Sequence, residues 1–469
     1  MLKGYGVSDI TTSQPVTEHT LFMTGSTSKA FTAAAISLLI DDNINFPDIH
    51  WNTPVHSIIP TDFVLNDSWA TSEMTIIDIL SHRSGLPRHD GIWLANITLQ
   101  EAVQSLRHLP LTASPRTEFQ YCNLMYTVAA HIIETVTNQS FQSFLRDNIW
   151  LPQDMTETYL SLSDAKEANQ DISQGYFEDL NGKVVSSEQV SVDILRGAGN
   201  ILSSVSDYAK WISTLLNHGP PLSPGAYGML FGAQFIAELY PIEPFQTPTL
   251  YGLGWMIQFY KGEAIITHGG SQVGYGADVV LLPERNFGLV ILGNNMNGIG
   301  AGADILAYHL IDEELNVPLE QRADAAMNTT HLSKHILSEL YPDLPSPPLP
   351  NPLNLSAFEG YYTHPAYPDL RISSDCISNS KAYEVLNRTT PDLCISHTRP
   401  NDYSKDMEWG LFHVSGTYWL QLVLWSGGLG ASRVEFSIGS DGLVSRLGIE
   451  IEPAMAKRGE KIWWRHAQS

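Results

Sequence analysis

A hydroxyl and an amine three residues apart carry the first chemical signal in this chain. They are Ser26 and Lys29, in the stretch Thr24-Gly25-Ser26-Thr27-Ser28-Lys29-Ala30-Phe31. A serine hydroxyl is a weak nucleophile and needs a neighbouring base, or a charge that eases its proton away. A buried lysine can be that base, because desolvation favours its neutral form. The run from Ala30 to Ile40 is rich in Ala, Leu and Ile, has no Pro or Gly, and predicts a helix. It is apolar nearly all round, so the helix should be buried in a large protein. Positions i and i+3 share a helix face, so Ser26 in the first turn places the Lys29 amine beside its hydroxyl. The helix N-terminus adds an N–H group and partial positive charge for an oxyanion. The bland alternative is a helix cap beside a solvated lysine. Ser163/Lys166 and Ser378/Lys381 repeat the spacing, but neither opens an apolar helix.

An acyl-transferring serine also needs a group that protonates the leaving atom. Two further stretches offer candidates: Tyr121-Cys122-Asn123 and His268-Gly269-Gly270-Ser271. Leu124, Val128 and Ile132 recur at i, i+4 and i+8, which predicts a helix over 124–137 with Asn123 in the cap position. Tyr121 and Asn123 then lie in the loop leading into a buried helix. His268 closes a predicted strand over 264–268. A Gly-x-Ser-x-Gly elbow, His-Glu-x-x-His, Cys-x-x-Cys and phosphate loops are absent from the sequence, so no cofactor or metal is expected. His82, Arg83 and His89 are read as structural or rim residues.

The surrounding elements must position these groups. Residues 1–10 read as the end of a strand. Thr75 caps a short helix to His82, stopped by Ser84-Gly85-Leu86-Pro87. Helices follow over 98–107 and 140–149, and one capped by Ser206 runs to Leu216. Gly197-Ala198-Gly199-Asn200 is a turn. Strand signals over 252–259, 264–268, 277–282 and 287–292 predict an antiparallel meander, closed by a helix over 300–314. Helices at both ends of a meander imply an α+β domain over residues 1–340. Six prolines between 342 and 352 mark a stiff linker, 341–354. Residues 355–469 then carry about eight short strand candidates: 358–363, 369–373, 393–397, 410–415, 417–425, 432–438, 443–451 and 461–465. That density predicts a small antiparallel barrel or sandwich.

The chain has 469 residues, too long for one ordinary core. Its formal net charge of −24 repels phosphate backbones and anionic lipid, so neither nucleic acid nor membrane is an expected partner. No apolar run nears the ~20 residues that span a bilayer. Met1 to Gly6 holds no apolar signal core, so a cytoplasmic location is expected. Cys122, Cys376 and Cys394 make no disulfide framework; Cys376 and Cys394 could pair in an oxidising compartment, but free thiols are the preferred reading. Oligomeric state is left open.

The ordered set Ser26-x-x-Lys29, Tyr121-x-Asn123 and His268-Gly-Gly resembles the serine β-lactamase-like superfamily. The similarity is to its branch of class C β-lactamases, D,D-peptidases, D-aminopeptidases and family VIII esterases. Residues 79–87, 197–199 and 203–207 match the same pattern, and the resemblance covers roughly residues 4–315. It implies an antiparallel sheet flanked by helices, an all-helical subdomain, and a C-terminal lipocalin-like barrel. Relatives usually carry a helix and a strand ahead of the segment that begins here at Leu2, so the sheet is expected to be short of a strand. The resemblance implies Ser26 as the acylated nucleophile, Lys29 as its base, and Tyr121 as shared base and then proton donor. It implies Asn123 and His268 as substrate contacts, and the N–H groups of Ser26 and Ser271, the latter following Gly270, as the oxyanion hole. His268 stands where many relatives have lysine, which turns the expectation from antibiotic hydrolysis toward a peptidase or esterase. The implied activity is hydrolysis of a small amide or ester, such as a peptide with D-residues, a cyclic peptide or a secondary-metabolite ester. The rivals are an acyltransferase using the same acyl-serine and a non-catalytic binding relative.

Overall fold

Fourteen residues, Ser28–Asp41, form helix α1, and all but Leu38 and Asp41 are buried or nearly so. Ser26 lies just ahead of it, in the 3-10 turn Gly25–Thr27. The computed structural model describes every residue except 180, 181, 191, 243, 246, 324–335, 377–380, 402, 403, 405, 406, 426, 427, 468 and 469. Ser378 of the third Ser-x-x-Lys match therefore lies outside the described residues. The chain divides into two compact units. The first comprises Met1–Arg88, Thr98–Phe177 and Val184–Asn328; the second comprises His89–Ile97, Glu178–Lys183 and Thr329–Ser469.

In the first unit, helix α2 (Asn123–Thr137) and helix α3 (Val205–Leu216) join α1. Phe31 of α1 stacks on Trp211 of α3 at 4.6 Å between centroids. The sheet has six strands, all antiparallel and adjacent in chain order. They are β1 (Phe235–Glu238), β2 (Thr249–Tyr251), β3 (Met256–Tyr260), β4 (Glu263–Gln272), β5 (Tyr275–Leu282) and β6 (Phe287–Gly293). Helix α4 (Met296–Glu314) lays Ala307 and Ile311 against Ile265, Val280, Leu282 and Leu289. β3 to β6 and α4 correspond to the four predicted meander strands and the closing helix, whereas β1 and β2 lie outside the predicted strands.

The second unit is a closed eight-stranded barrel: β7 (Gly360–Thr363), β8 (Leu370–Ser373), β9 (Leu393–His397), β10 (Glu408–Ser415), β11 (Tyr418–Trp425), β12 (Gly428–Ile438), β13 (Val444–Ile449) and β14 (Ile462–Ala467). Each matches one expected strand segment. Trp419, Phe436, Phe358 and Tyr362 pack edge to face or tilted within it. Residues 89–97 belong to this unit. The His89 N–H donates to Glu452 at 2.7 Å, and the Ser404 hydroxyl donates to the Leu94 carbonyl.

Three expectations are corrected. Cys376 and Cys394 form a disulfide, with Cα atoms 5.6 Å apart, because β8 and β9 bring distant positions side by side. Cys122 is a free, buried thiol. The cap of α3 is Ser204, whose hydroxyl accepts from Asp207 N–H, two residues before the expected Ser206. Asn123 is the first residue of α2, with Cys122 in the cap position. Thr75 does cap its helix, reciprocally with Asp78. Among the described residues, no helix is long and apolar enough to cross a membrane, and no cluster of metal-ligating side chains occurs.

Candidate active site

Ser26 and Lys29 meet as the i, i+3 spacing requires. The Lys29 side chain is fully buried, and its Nζ donates to Ser26 Oγ at 3.1 Å and to the Ala198 carbonyl at 2.9 Å. The turn at 197–200 is therefore the second anchor of the lysine. Thr32 of α1 fixes that turn through the Gly197 carbonyl at 2.6 Å. Gln272, at the end of β4, holds the Gly199 carbonyl at 2.7 Å.

Glycines decide how closely the Ser26 turn approaches the sheet. β3 pairs with β4 only as far as Thr267, so residues 268–272 extend beyond it. The turn lies against that exposed edge. A Cβ on Gly25, whose φ is +52°, would sit 2.5 Å from Ser271 N. A Cβ on Gly270 would run into the Thr24 carbonyl and lie 3.2 Å from Ser26 N. The absence of side chains at Gly25 and Gly270 lets the backbone of the Ser26 turn approach that of Ser271 this closely.

His268 is buried and held at both nitrogens. Its Nδ1 lies 2.7 Å from the Gly269 carbonyl and its Nε2 lies 3.1 Å from the Tyr251 hydroxyl. Burial, reinforced by the nearby Lys29 charge, pushes its pKa down to about 3. The ring is therefore neutral near pH 7. A carbonyl only accepts, so Nδ1 carries the proton and Tyr251 donates to Nε2. Burial holds the Tyr251 phenol well above its ordinary range, which keeps it a donor. The position that holds a lysine in many relatives thus presents no positive charge here.

Tyr121 completes the cluster. Lys29 Nζ lies 4.8 Å from its ring centroid, and the exposed Arg88 guanidinium lies 5.2 Å from it. Its ring centroid is 6.2 Å from that of His268. Asn123, one residue beyond Cys122, is buried at the start of α2. The structure so brings Ser26, Tyr121 and His268 around Lys29, with Gly270 and Ser271 against the serine turn. Sequence reasoning missed four contributors: the Ala198 carbonyl, Tyr251, Arg88 and His82. Ala198 lay in the stretch 197–199 that matched the family pattern, whereas Tyr251 acts through space, without a local spacing that could flag it. His82 lay in a stretch already matched to the family pattern, and that was the available signal.

The Beta-lactamase family model matches residues 1–311 of the chain. An unguisins hydrolase of Aspergillus campestris (strain IBT 28561) is 36% identical, over 98% of this chain and 85% of the relative. Among solved structures, the octameric penicillin-binding protein homologue from Pyrococcus abyssi superposes with a TM-score of 0.59 at 19% identity, covering 99% of this chain and 92% of its own. The D-amino acid amidase from Ochrobactrum anthropi SV3, complexed with L-phenylalanine, gives 0.55 at 20% identity, over 66% of this chain and 89% of its own. At such identities these two likenesses speak for the fold alone.

Proposed function

We propose, from the premise that this chain belongs to the Beta-lactamase family and is a serine hydrolase, that it works through an acyl-enzyme on Ser26. One observation carries the reading: a fully buried lysine donating to a serine hydroxyl at 3.1 Å, with a tyrosine ring 4.8 Å away. In the resting site the Lys29 ammonium donates to Ser26. Once Lys29 has lost a proton, the same contact lets its amine accept the hydroxyl proton as Ser26 Oγ attacks the substrate carbonyl carbon. The oxyanion that forms is met by the N–H groups of Ser26 and Ser271. Collapse breaks the bond to the amine or alcohol, which leaves with a proton passed through Tyr121. Two cations beside the tyrosine ring favour that relay, since positive charge stabilises a transient phenolate. Water then attacks the ester of Ser26 by the same proton path in reverse. Asn123 contributes a side-chain amide to the substrate.

The substrate we favour is a small amide or ester, in particular a peptide, including one with D-residues or a closed ring. The neutral His268 supports a scissile group that needs no paired carboxylate. The name of the unguisins hydrolase, a relative at 36% identity, points the same way. Intact mass after incubation with candidate esters and D-peptide amides tests the reading. The expected result is a single acyl adduct on the wild type and none on Ser26→Ala. An adduct that survives in Ser26→Ala, or maps to another serine, overturns it.

A further inference from the structure

We infer that His82 is the positioning residue for Tyr121, holding the strand-like segment 120–122 from both sides of the tyrosine. The inference rests on the proposed part of Tyr121 in proton transfer. His82 is completely buried, and its backbone takes a positive φ of +58°. Its carbonyl accepts from Gln120 N–H at 2.8 Å. Its ring Nδ1 accepts from Cys122 N–H at 3.1 Å. One residue thus supplies two acceptors that bracket Tyr121, the second being a ring nitrogen in the place of a backbone carbonyl. The ring also lies against the Tyr121 ring, 4.2 Å between centroids and tilted by 32°. Tyr251, Tyr126 and Phe119 close around the other sides, at 4.9, 5.2 and 5.6 Å.

A backbone N–H can only donate, so Nδ1 must be bare and Nε2 must carry the proton of a neutral ring. Burial, with Lys29, His268 and Arg88 nearby, holds the ring in that neutral form. Nε2 is itself buried and meets no hydrogen-bond partner among the described residues. An apolar ring would fill the same space without that orphaned donor. What an apolar ring lacks is the acceptor for Cys122, so the acceptor explains the histidine. The positive φ agrees, since among residues with side chains Asn, Asp and His enter that region most readily.

Two substitutions separate the acceptor from the ring. His82→Phe keeps a flat ring and loses the acceptor; His82→Asn keeps an acceptor, tolerates the positive φ and loses the ring. Both are compared with wild type by melting temperature and by the rate of Ser26 acylation, resolved as kcat against KM on one ester substrate. The expected result is a kcat roughly 100-fold lower in His82→Phe, with KM little changed, and recovery to within about tenfold of wild type in His82→Asn. A folded His82→Phe with wild-type kcat overturns the inference, as does an equal loss in both variants. Nitrogen-15 shifts of labelled wild-type enzyme give an arm that needs no variant. A bare Nδ1 and a protonated Nε2 on His82 support the inference, and the opposite tautomer overturns it. Loss of the Ser26 adduct in Ser26→Ala serves as the control. If that control fails, the acyl-enzyme reading falls by itself, while the tautomer measurement still decides the geometry of His82.

Discussion

The two sides of the site are built from different materials. On the serine side, backbone meets backbone: the Gly25–Thr27 turn lies against β4 so closely that a single Cβ on Gly25 or Gly270 would collide with main-chain atoms. On the tyrosine side, rings meet rings: Phe119, Tyr126 and Tyr251 pack around His82, whose own ring lies against Tyr121. Main-chain contacts have no rotamers with which to relieve a clash, whereas packed rings can shift by small amounts. The serine side should therefore respond to substitution almost as a switch. The tyrosine side should respond by degrees.

Lys29→Met probes the link between the two and carries the largest expected effect. The thioether fills the buried slot, so folding should survive while proton transfer is lost. Turnover is expected to fall by roughly 10³–10⁴, near the upper range for one acid–base group. Burst kinetics should place the loss in acylation. Gly270→Ala follows, with an expected fall in kcat of roughly 10²–10³, the size of losing an oxyanion donor. It adds one methyl group and removes no polar atom. A Gly270→Ala enzyme within tenfold of wild type would break the claim that the serine side is rigid. Phe119→Leu asks the same question across the site. It removes a ring that packs on both His82 and Tyr251, and the expected loss of activity is less than tenfold. If Phe119→Leu proved as damaging as Gly270→Ala, the two sides would not differ in kind.

That contrast also explains what could be read from the sequence. The Ser26–Lys29 pair is local, so the 3.6-residue period and an apolar run were enough to place it. Strand signals likewise exposed four of the six meander strands and all eight barrel strands, but not the short strands β1 and β2. The Ala198 carbonyl beneath Lys29 and the grip of His82 on Cys122 join positions 169 and 40 residues apart, and no spacing rule announces them. Capping went astray at α3 because Ser204 and Ser206 both suit the role, and only the backbone angle at Ser204 chooses between them. Residues 89–97 look continuous with the hydrolase sequence. Their partners Ser404 and Glu452 lie more than 300 residues away, which is why the boundary is invisible in the chain. The Cys376–Cys394 bridge ranked below free thiols for a related reason: pairing depends on the register of β8 and β9, which composition does not encode.

The smallest expected effect concerns acid stability, and it too divides between the sides. His82 stands on the tyrosine side and His268 on β4, and burial holds both below their ordinary pKa. The folded state keeps each ring neutral while the unfolded chain takes up a proton near pH 6.5. Below that pH the unfolded state binds more protons, so stability is full above about pH 6.5 and falls as the solution is acidified. Each ring contributes about 1 kcal/mol of loss between pH 7 and 5.5. Melting curves of wild type and His82→Asn at the two pH values isolate one ring, because the other titrating groups are common to both proteins. The variant should lose less stability on acidification than wild type, whatever its stability at pH 7. An equal loss would mean that His82 takes up a proton in the folded protein. Protonation would cap Nδ1, break its bond to Cys122 N–H, and release one of the two bonds by which His82 holds the residues flanking Tyr121. A His82 that titrates in the folded state would therefore count against a fixed tyrosine as well as against a buried neutral ring.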